Sequence, residues 1–314
     1  SDIYLDRIAL TCAPKTGKSV AVIGSGPAGL TVAIKLAQKG HEVTIFERKS
    51  KIGGMMRYGI PAFRLPHTVL ARYQKVLTEL GIHFRPNTTI GGVIALDRLF
   101  DDGYDAIFIG SGVWRARGLG VKGESLGNCH YAVDYLQNPG AYNLGDRVAI
   151  IGSGNSAIDA ARTAIRKGSR FVTIYGRSAK ARASRREFEY AQADGVEFEF
   201  GKGVHSITKD GPMLFDRHFD EEGNLTSEDE PVLTPADSTI IAVSQAPKDK
   251  IVRSTTGLTV NDRGLINVDE TGATTRKGVF SAGDVVMGPG NVVTVMREAK
   301  RVAEAMETFL MECD

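Results

Sequence analysis

Glycine residues at two places in the chain have the spacing of a phosphate-binding turn. Gly24, Gly26 and Gly29 form G-x-G-x-x-G within VAVIGSGPAGLTVAI, residues 20–34, and VAIIGSGNSAIDAAR, residues 148–162, repeats most of this pattern. The first glycine of such a turn permits a tight bend, the second lets the backbone approach a phosphate, and the third permits close helix–strand packing. Free N–H groups at the positive end of the following helix then bind the anion. Both places are therefore predicted to bind the pyrophosphate of a dinucleotide.

The strand after the first turn ends in an acidic residue. Glu47 follows Gly26 by 21 residues, and a carboxylate at this point can accept hydrogen bonds from both hydroxyls of a ribose. Pro27 and Ala28 inside the turn are commoner at FAD sites than at NAD sites. These residues favour FAD as the dinucleotide of the first turn.

The strand after the second turn lacks this acid and is followed by basic residues. VTIFER of the first repeat aligns with VTIYGR of the second, so Gly176 replaces Glu47 and Arg177 comes next. A carboxylate would repel a 2′-phosphate, whereas arginine offers paired charged donors to it. The segment KARASRREF then adds Lys180, Arg182, Arg185 and Arg186. This pattern predicts a 2′-phosphate site and favours NADPH as the nucleotide. One alternative is that NADH binds, and another is that the basic residues are only the solvated start of a helix.

The third glycine of the second turn is replaced by Ala157. Alanine occurs in NADP-type turns, in which the helix and the strand pack slightly further apart. Gly152 and Gly154 keep their positions, and the backbone N–H groups of Asn155 and Ser156 are expected to face the phosphates. The replacement is thus part of the difference between the two predicted sites.

Strand–helix–strand patterns surround both turns and must position them. KSVAVIG, AGLTVAIKLAQKG and HEVTIFER form the first such pattern, and DRVAIIG, NSAIDAARTAIRKG and RFVTIYGR form the second. Parallel βαβ units predict an α/β fold whose sheets are covered by helices on both faces. β-Hairpins with an acidic loop are predicted over residues 215–243, and a closing helix is predicted from about Asn291.

Length and composition argue against several other classes. The chain has 314 residues, enough for two domains, and its net charge of +2 gives no reason to expect nucleic acid or an anionic membrane as a partner. No apolar run reaches the ~20 residues that span a bilayer, and SDIYLDRIAL lacks a signal-peptide core, so a cytoplasmic location is predicted. Cys12, Cys129 and Cys313 form no CxxC pair, which argues against a thioredoxin-type dithiol. Three cysteines also fall short of the four that an ordinary iron–sulfur cluster needs, and the histidines show no metal-ligand spacing, so no metal site is predicted.

Residues 51–66, KIGGMMRYGIPAFRLP, resemble the GGLLRYGIPEFRLP motif of glutamate synthase small subunits. Relatives of those subunits include the flavin–NADPH part of dihydropyrimidine dehydrogenase and the large subunit of NADH-dependent ferredoxin:NADP oxidoreductase. GNSAIDAAR, ADSTIIAVSQAP, GVFSAGDVV and NVVTVMREAK also resemble motifs of this family, and the resemblance runs from about Lys15 to the C-terminus. It implies two nested Rossmann-like domains with the architecture of glutathione and thioredoxin reductases: an FAD domain of residues 1–112 and 248–314, and an inserted NAD(P)H domain of residues 113–247.

The resemblance also assigns site residues by motif. For the FAD pyrophosphate it implies Gly24, Gly26, Pro27, Ala28 and Gly29, and for the ribose it implies Glu47. Gly54, Met55 and Ile60 are implied along the flavin, and Gly283 and Asp284 near the ribityl chain and pyrophosphate. Asn291, Val292 and Val293 are implied at the start of a helix that points to the flavin, and Arg48, Ile90 and Gly112 as further contacts. For NAD(P)H it implies Gly152, Gly154, Asn155, Ser156, Arg177, Arg182, Arg185 and, bordering the nicotinamide, Ser244. The sequence departs from the family pattern in having Asn291 for threonine, Ala299 for glycine, Gly176 for arginine and Ser244 for glycine, and in lacking the methionine–proline pair of the family after Arg177.

Two nucleotide sites of different type indicate hydride transfer between NAD(P)H and FAD, a reaction that depends on stacking and on exclusion of water. No catalytic acid or base and no metal are predicted. In the resembled subunits a cysteine-rich iron–sulfur domain precedes this unit, and the residues before Lys15 are too few to hold it. An iron–sulfur protein or a larger subunit is therefore the expected electron partner. The alternatives are an iron–sulfur domain of the same protein that is not part of this sequence, and a soluble electron acceptor.

Three other functions are weighed against this hypothesis. A disulfide reductase of the thioredoxin reductase type shares the nested fold but needs CxxC, which is absent. A flavin monooxygenase usually shows a substrate-binding insertion, and none is evident. A non-enzymatic subunit that carries FAD beside a degenerate NAD(P) site is kept open by Gly176 and Ser244.

Overall fold

A computed structural model of the chain describes residues 8–248 and 250–312. Its strands are β1 (Ser19–Ile23), β2 (Glu42–Phe46), β3 (His83–Arg85), β4 (Ala106–Ile109), β5 (Arg115–Ala116), β6 (Cys129–Tyr131), β7 (Arg147–Ile151), β8 (Phe171–Gly176), β9 (Glu197–Phe200), β10 (Lys202–Thr208), β11 (Gly211–Phe219), β12 (Leu225–Glu228), β13 (Val232–Leu233), β14 (Ser238–Ile241), β15 (Gln245–Ala246) and β16 (Val279–Ser281). Its α-helices are α1 (Pro27–Gln38), α2 (Met55–Tyr58), α3 (His67–Glu79), α4 (Leu96–Asp101), α5 (Ala132–Gln137), α6 (Asn155–Arg166), α7 (Arg185–Ala193), α8 (Lys250–Arg253), α9 (Asp284–Met287) and α10 (Val292–Glu312).

The chain forms two compact units, and one is inserted into the other in sequence. The first unit contains the described residues up to Arg57, the segment Ala62–Arg115 and the described residues from Ala246 onward. The second unit contains Ala116–Gln245 and the short segment Tyr58–Pro61. This nested α/β organisation is the predicted fold class, whereas the assignment of one cofactor to each domain is a proposal taken up below.

The first unit is built on a parallel sheet of five strands in the order β16-β4-β1-β2-β3. β1 and β4 carry continuous apolar sequences, SVAVI and AIFI, because both faces of the sheet are covered. β1 lies between β2 and β4, so the strand order reverses at β1. In open α/β sheets, ligands bind beside the carboxyl end of the strand at such a reversal, and Gly24 follows that end directly.

The second unit repeats this order in its own parallel sheet, β6-β14-β7-β8-β9. β7 occupies the central position that β1 has in the first sheet, and Gly152 follows its carboxyl end. An antiparallel arrangement of β10, β11, β12 and β13 follows in the chain. The predicted hairpins of residues 215–243 are therefore confirmed in part, since they share this region with β14 of the parallel sheet, and their acidic stretch at residues 228–230 is exposed.

Helix α10 closes the first unit by packing against α1. Val302, Ala303 and Met306 of α10 are buried in the same core cluster as Leu30 and Ile34 of α1. The predicted closing helix begins at Val292, one residue after the expected Asn291. No helix within the described ranges combines the length and the apolar character needed to cross a membrane.

Candidate dinucleotide sites

The first glycine turn is shaped by contacts that only glycine permits. Gly24 has φ +97°, and a Cβ on it would lie 2.6 Å from the carbonyl oxygen of Gly110. A Cβ on Gly29 would lie 1.9 Å from the carbonyl oxygen of Gly24. Around Gly26, in contrast, a Cβ would meet no atom of the described residues within 4 Å. The turn is therefore tight at its first and third glycines and open at its second, which is the shape that a pyrophosphate requires.

The start of helix α1 leaves backbone N–H groups available in this open space. Gly26 is the N-cap residue, and no side chain caps the helix. Pro27 has no N–H group, and the first bond along the helix runs from the Leu30 N–H to the Gly26 oxygen at 2.9 Å. The uncapped N–H groups and the helix dipole together favour an anion here.

Glu47 is buried beside the turn and is held by it. Its Oε2 accepts hydrogen bonds from the Ser25 N–H at 2.9 Å and from the Ser25 hydroxyl at 2.6 Å, and its Oε1 accepts from the Lys49 N–H at 2.8 Å. A carboxylate offers about four lone-pair positions, so acceptor capacity remains for ribose hydroxyls. Ser25, which orients this carboxylate, was missed by sequence reasoning; its signal was the G-S-G shared by both turns.

The paired glycines of residues 53–54 lie directly against the first turn. A Cβ on Gly54 would approach the Cα of Gly26 to 2.8 Å, and Gly54 has φ +51°. The Gly53 N–H donates to the Ser25 oxygen at 2.9 Å. Met55 begins helix α2 beside this pair and is half-buried. Ile60 belongs to the second unit, and its contact with the flavin stays a prediction.

Arg48, Gly112 and Trp114 form a small cluster near the ends of β2 and β4. The Arg48 guanidinium lies over the Trp114 ring, 5.1 Å from the ring centroid. A Cβ on Gly112, which has φ +69°, would lie 3.5 Å from the indole Nε1. The structure thus brings together two predicted contacts and one residue that sequence reasoning missed, the only tryptophan of the chain. Ile90 is buried in a separate core cluster of this unit, and its cofactor contact stays a prediction.

Gly283 joins the first turn to the C-terminal helix. It has φ +82°, and a Cβ on it would lie 3.2 Å from the Ala28 Cβ and 3.2 Å from Val295 Cγ1. Asn291, which departs from the family pattern, caps α10, because its Oδ1 accepts from the Thr294 N–H at 2.9 Å. Asparagine is among the best N-cap residues, so the replacement of threonine keeps the cap.

The first two residues of α10 differ in exposure. Val292 packs partly against the core of the first unit, whereas Val293 is 78% exposed. Ala299, further along the helix, is fully buried. A bulky exposed aliphatic side chain at a helix start is available for contact with a bound group, and its role stays a prediction.

Asp284 is a carboxyl group with an unusual environment. It begins helix α9, and burial raises its pKa from 3.8 to about 6, although the Gly290 N–H that donates to its Oδ1 at 3.1 Å lowers the pKa. Burial dominates because it disfavours the charged form. The carboxylate therefore costs folding free energy at neutral pH.

The Asp284→Asn variant is expected to stabilise the FAD-free protein at pH 7.5 by about 1–2 kcal/mol. A carboxyl whose folded pKa lies above its unfolded pKa destabilises the fold once pH exceeds the folded value, and the penalty disappears as pH falls through about 6 toward 4. Asparagine keeps the acceptor for Gly290 without the charge. Urea unfolding at several pH values between 4 and 8 measures the difference, and a gain that is equal at pH 4.5 and 7.5 contradicts the explanation.

The second glycine turn has the same plan with one change. Gly152 has φ +124°, and a Cβ on it would lie 2.4 Å from the Ala242 oxygen, whereas a Cβ on Gly154 would meet nothing within 4 Å in the described part of the chain. Gly154 is the N-cap of α6, and no side chain caps this helix. Ala157 is fully buried. Because the equivalent Cβ in the first turn would collide with a carbonyl oxygen, the second turn must be wider at this point.

The segment before helix α7 is attached to the second turn. The N–H groups of Arg182 and Ala183 both donate to the Ser153 oxygen, at 3.0 and 2.9 Å. The Ser184 N–H donates to Asn155 Oδ1 at 3.2 Å. Sequence reasoning assigned only the backbone of Asn155, and the structure shows that its side chain also helps to hold the basic segment at the turn.

The four arginines predicted near the 2′-phosphate fall into two pairs. Arg185 Nε donates to Glu189 at 2.8 Å, and Arg186 donates to the Tyr190 hydroxyl at 3.1 Å. Among residues 8–248 and 250–312, no salt bridge or side-chain hydrogen bond engages the guanidinium group of Arg177 or Arg182. These two exposed arginines are therefore the better candidates for an anion, and Arg185 is the weaker one.

Ser244 has a backbone conformation that serine rarely adopts. Its φ is +118°, and apart from Asn87 it is the only non-glycine residue of the described ranges with positive φ. Its carbonyl oxygen accepts from the Arg117 N–H at 3.2 Å, which ties both ends of the second unit together. The glycine that is usual at this position would avoid the steric cost of the Cβ.

The Ser244→Gly variant is expected to raise the free energy of unfolding by about 1 kcal/mol. Relief of backbone strain exceeds the extra entropy that glycine adds to the unfolded chain, because φ +118° is unfavourable for any residue with a Cβ. Urea unfolding measures the change. Ser244→Ala is the matched control, since it keeps the Cβ; equal stabilisation by both variants contradicts strain as the cause.

Two nested units that each place an uncapped helix start beside an open glycine define a class of oxidoreductase that binds two dinucleotides. Comparison with known proteins agrees with this class. The sequence model of the pyridine nucleotide-disulphide oxidoreductases matches residues 18–300. The chain belongs to the pyridine nucleotide-disulphide oxidoreductase family.

Relatives place the chain more narrowly within that family. It is 33% identical to the glutamate synthase [NADPH] small chain of Halomonas elongata, over 94% of this chain and 68% of that one. It is also 33% identical to the NAD-dependent dihydropyrimidine dehydrogenase subunit PreT of Salmonella typhimurium, over 95% of this chain and 70% of that one. The structure of Mycobacterium tuberculosis FprA in complex with NADPH has the same fold, with a TM-score of 0.78 at 20% identity, over 96% of this chain and 85% of FprA.

These matches confirm the predicted resemblance to glutamate synthase small subunits and the nested α/β fold. They also confirm an NAD(P)H-dependent flavoprotein oxidoreductase with FAD and a nicotinamide nucleotide as cofactors. The open glycines and uncapped helix starts of both units fit these two groups.

Proposed function

We propose that the first turn binds FAD, that the second binds NADPH, and that hydride passes between them while electrons are exchanged with an iron–sulfur partner. The contrast between the two strand ends carries this proposal. The first turn has a buried carboxylate, Glu47, bound to its serine. The second has Gly176 in place of the acid, with Arg177 and Arg182 exposed beside the turn.

The FAD site is proposed to consist of the first turn and the groups packed on it. The N–H groups of Ala28 and Gly29 would hold the pyrophosphate, and Glu47 would accept the ribose hydroxyls. Gly54 and Gly283 pack against this turn, which supports their assignment to the FAD site. The remaining proposed contacts are Arg48, Met55, Ile60, Ile90, Gly112, Asp284, Asn291, Val292 and Val293.

The choice of NADPH over NADH rests on charge. The 2′-phosphate carries negative charge, and Arg177 and Arg182 offer planar paired donors to it. The attachment of the Arg182 backbone to the Ser153 oxygen supports a position next to the phosphate-binding turn. The glutamate synthase small chain is named for NADPH and PreT is named for NAD. The preference between the two nucleotides must therefore be inferred from residues of this chain.

The chain itself supplies binding, orientation and electrostatics. When bound, the flavin supplies the group that accepts or donates the hydride of the nicotinamide. The start of α10, capped by Asn291, offers partial positive charge that would favour the reduced, negatively charged form of the flavin. No side chain is proposed as a catalytic acid or base, since hydride transfer needs none.

Anaerobic titration of the FAD-loaded protein tests this function. NADPH is expected to bleach the flavin absorption band near ~450 nm stoichiometrically, and NADH is expected to do so at higher concentration only. Free FAD mixed with NADPH at the same concentrations is the control. If neither nucleotide bleaches the bound flavin, hydride transfer is rejected, and the non-enzymatic alternative is supported.

The electron partner is tested in a second step. After reduction by NADPH, anaerobic addition of an oxidised [2Fe–2S] ferredoxin-type protein is expected to restore the flavin band, because iron–sulfur centres accept single electrons. The names of relatives as subunits, such as PreT, support a protein partner. Rapid reoxidation by small quinones or oxygen, without reoxidation by any iron–sulfur protein tested, contradicts this part of the proposal.

The disulfide reductase alternative has no support in the site. Cys129 is half-buried, and burial together with the charge of Glu124 raises its pKa to about 11, which keeps the thiol protonated. Cys12 is exposed and distant in sequence, and Cys313 lies outside the described residues. The CxxC pair of a thioredoxin-type dithiol is absent from the sequence.

A further inference from the structure

Gly176 occupies the same position in the second unit that Glu47 occupies in the first. In each unit the first glycine of the turn donates its N–H to the neighbouring strand, to the Phe46 oxygen at 2.8 Å and to the Tyr175 oxygen at 2.9 Å. The residues that follow these acceptors are Glu47 and Gly176. The backbones therefore agree, and only the side chain differs.

The space that a side chain at position 176 would need is occupied. In the first unit the Glu47 carboxylate reaches the N–H and hydroxyl of Ser25. In the second unit a Cβ on Gly176 would lie 2.8 Å from Phe200 Cδ1 and 3.2 Å from the Cβ of Ser153. Because real Cβ contacts are longer than 3.0 Å, no side chain fits here without movement of the Phe200 ring.

The Phe200 ring is held where it is. Its backbone pairs with Gly176 at the end of β8 and β9. Its ring stacks on Phe198 with a centroid distance of 6.1 Å and an interplanar angle of 20°, and lies 6.4 Å from Phe188. Phe188 and Phe198 are themselves 4.3 Å apart. Three rings in mutual contact resist displacement, because each loses apolar contact when one moves.

We propose that Phe200 restricts position 176 to glycine and thereby preserves the nucleotide specificity of the second dinucleotide site. By filling the space beside Gly176, it excludes the acidic side chain that would bind a ribose diol and repel a 2′-phosphate. Arg177 follows this strand end directly, and the backbone N–H of Arg182 donates to Ser153 of the turn at 3.0 Å. Specificity of this kind comes from excluding the competing arrangement as well as from attracting the preferred ligand. The inference rests on the proposed binding of NADPH at this turn.

A double-mutant cycle in thermal stability tests the steric part of the proposal. Gly176→Glu alone is expected to lower the melting temperature by about 5 °C or more, because the new side chain collides with Phe200. In the Phe200→Ala background the same change is expected to have little effect. Phe198→Ala is the matched control, since it removes a ring of the same cluster while leaving Phe200, whose ring atoms lie nearest the added Cβ, and it should give no rescue. A Gly176→Glu variant that melts like the parent protein overturns the proposal.

Equilibrium binding of NADP⁺ and NAD⁺ to the FAD-loaded variants tests specificity. The double variant Gly176→Glu, Phe200→Ala is expected to lose preference for NADP⁺ by about 30-fold or more, whereas Phe200→Ala alone should stay within about 3-fold of the parent. A double variant with the parent preference overturns the proposal. If the parent binds both nucleotides equally, the proposed NADPH choice has failed, while the melting cycle still shows whether Phe200 excludes a side chain.

Discussion

Replacement of Gly29 by alanine is expected to lower the free energy of unfolding by about 3 kcal/mol or more and to abolish FAD binding. The added Cβ would lie 1.9 Å from the Gly24 oxygen and 3.2 Å from Val22 Cγ1. Neither atom can yield cheaply, because one belongs to the tight turn and the other to the buried central strand. Helix α1 must therefore shift away from β1, and the N–H groups that are proposed to hold the pyrophosphate shift with it.

The second turn supplies the matched control for this variant. Ala157 occupies the position equivalent to Gly29 and is fully buried, so Ala157→Gly is expected to cost only about 1 kcal/mol, through helix propensity and a lost methyl contact. Urea unfolding and the flavin-to-protein ratio of the purified protein measure both variants. Full flavin content in the Gly29→Ala variant would contradict this prediction, because it would show that the first turn tolerates a Cβ at this position as the second turn does.

The elements around the two turns could be predicted because their signals are local. Continuous apolar runs mark the buried parallel strands, and the glycine spacing marks the point where each strand passes into a helix. The start of α10 was likewise placed within one residue, because its helical spacing begins directly after a glycine-rich loop. Comparison of the two repeats also revealed the difference between Glu47 and Gly176 without any structure.

The residues that shape the sites from outside the motifs could not be predicted in this way. Phe200 acts on Gly176 from a strand 24 residues further along, and Trp114 meets Arg48 from the end of another strand. Such contacts depend on strand register, which a motif does not contain. The strain at Ser244 is similar, because its φ of +118° is visible only in the folded chain.

The difference between the two turns has a single physical basis. Each turn presents the same open second glycine and the same uncapped helix start, so under the proposed function neither feature distinguishes one dinucleotide from the other. Discrimination must therefore come from the neighbouring strand end. There the first unit places a buried carboxylate, and the second places an aromatic ring and exposed arginines, so the proposed function assigns the choice of nucleotide to the groups that would meet the ribose.

Removal of both Arg177 and Arg182 is expected to weaken binding of NADP⁺ by about 100-fold and binding of NAD⁺ by less than about 3-fold. Charged hydrogen bonds to a 2′-phosphate are lost only for the phosphorylated nucleotide, whereas the pyrophosphate contacts of the turn serve both. Each single alanine variant is expected to lose about 10-fold for NADP⁺. Isothermal titration at constant ionic strength measures these constants, because exposed charge interactions weaken with salt.

Arg185→Ala is the matched control for this pair. Its guanidinium already engages Glu189 at 2.8 Å on an exposed helix face, so its removal is expected to change the affinity for NADP⁺ by less than about 3-fold. A loss of NADP⁺ affinity in Arg185→Ala as large as that in Arg182→Ala would indicate that the 2′-phosphate binds at helix α7. Equal weakening of NADP⁺ and NAD⁺ in the double variant would instead show that the two arginines act on the pyrophosphate, since only the 2′-phosphate distinguishes the two nucleotides.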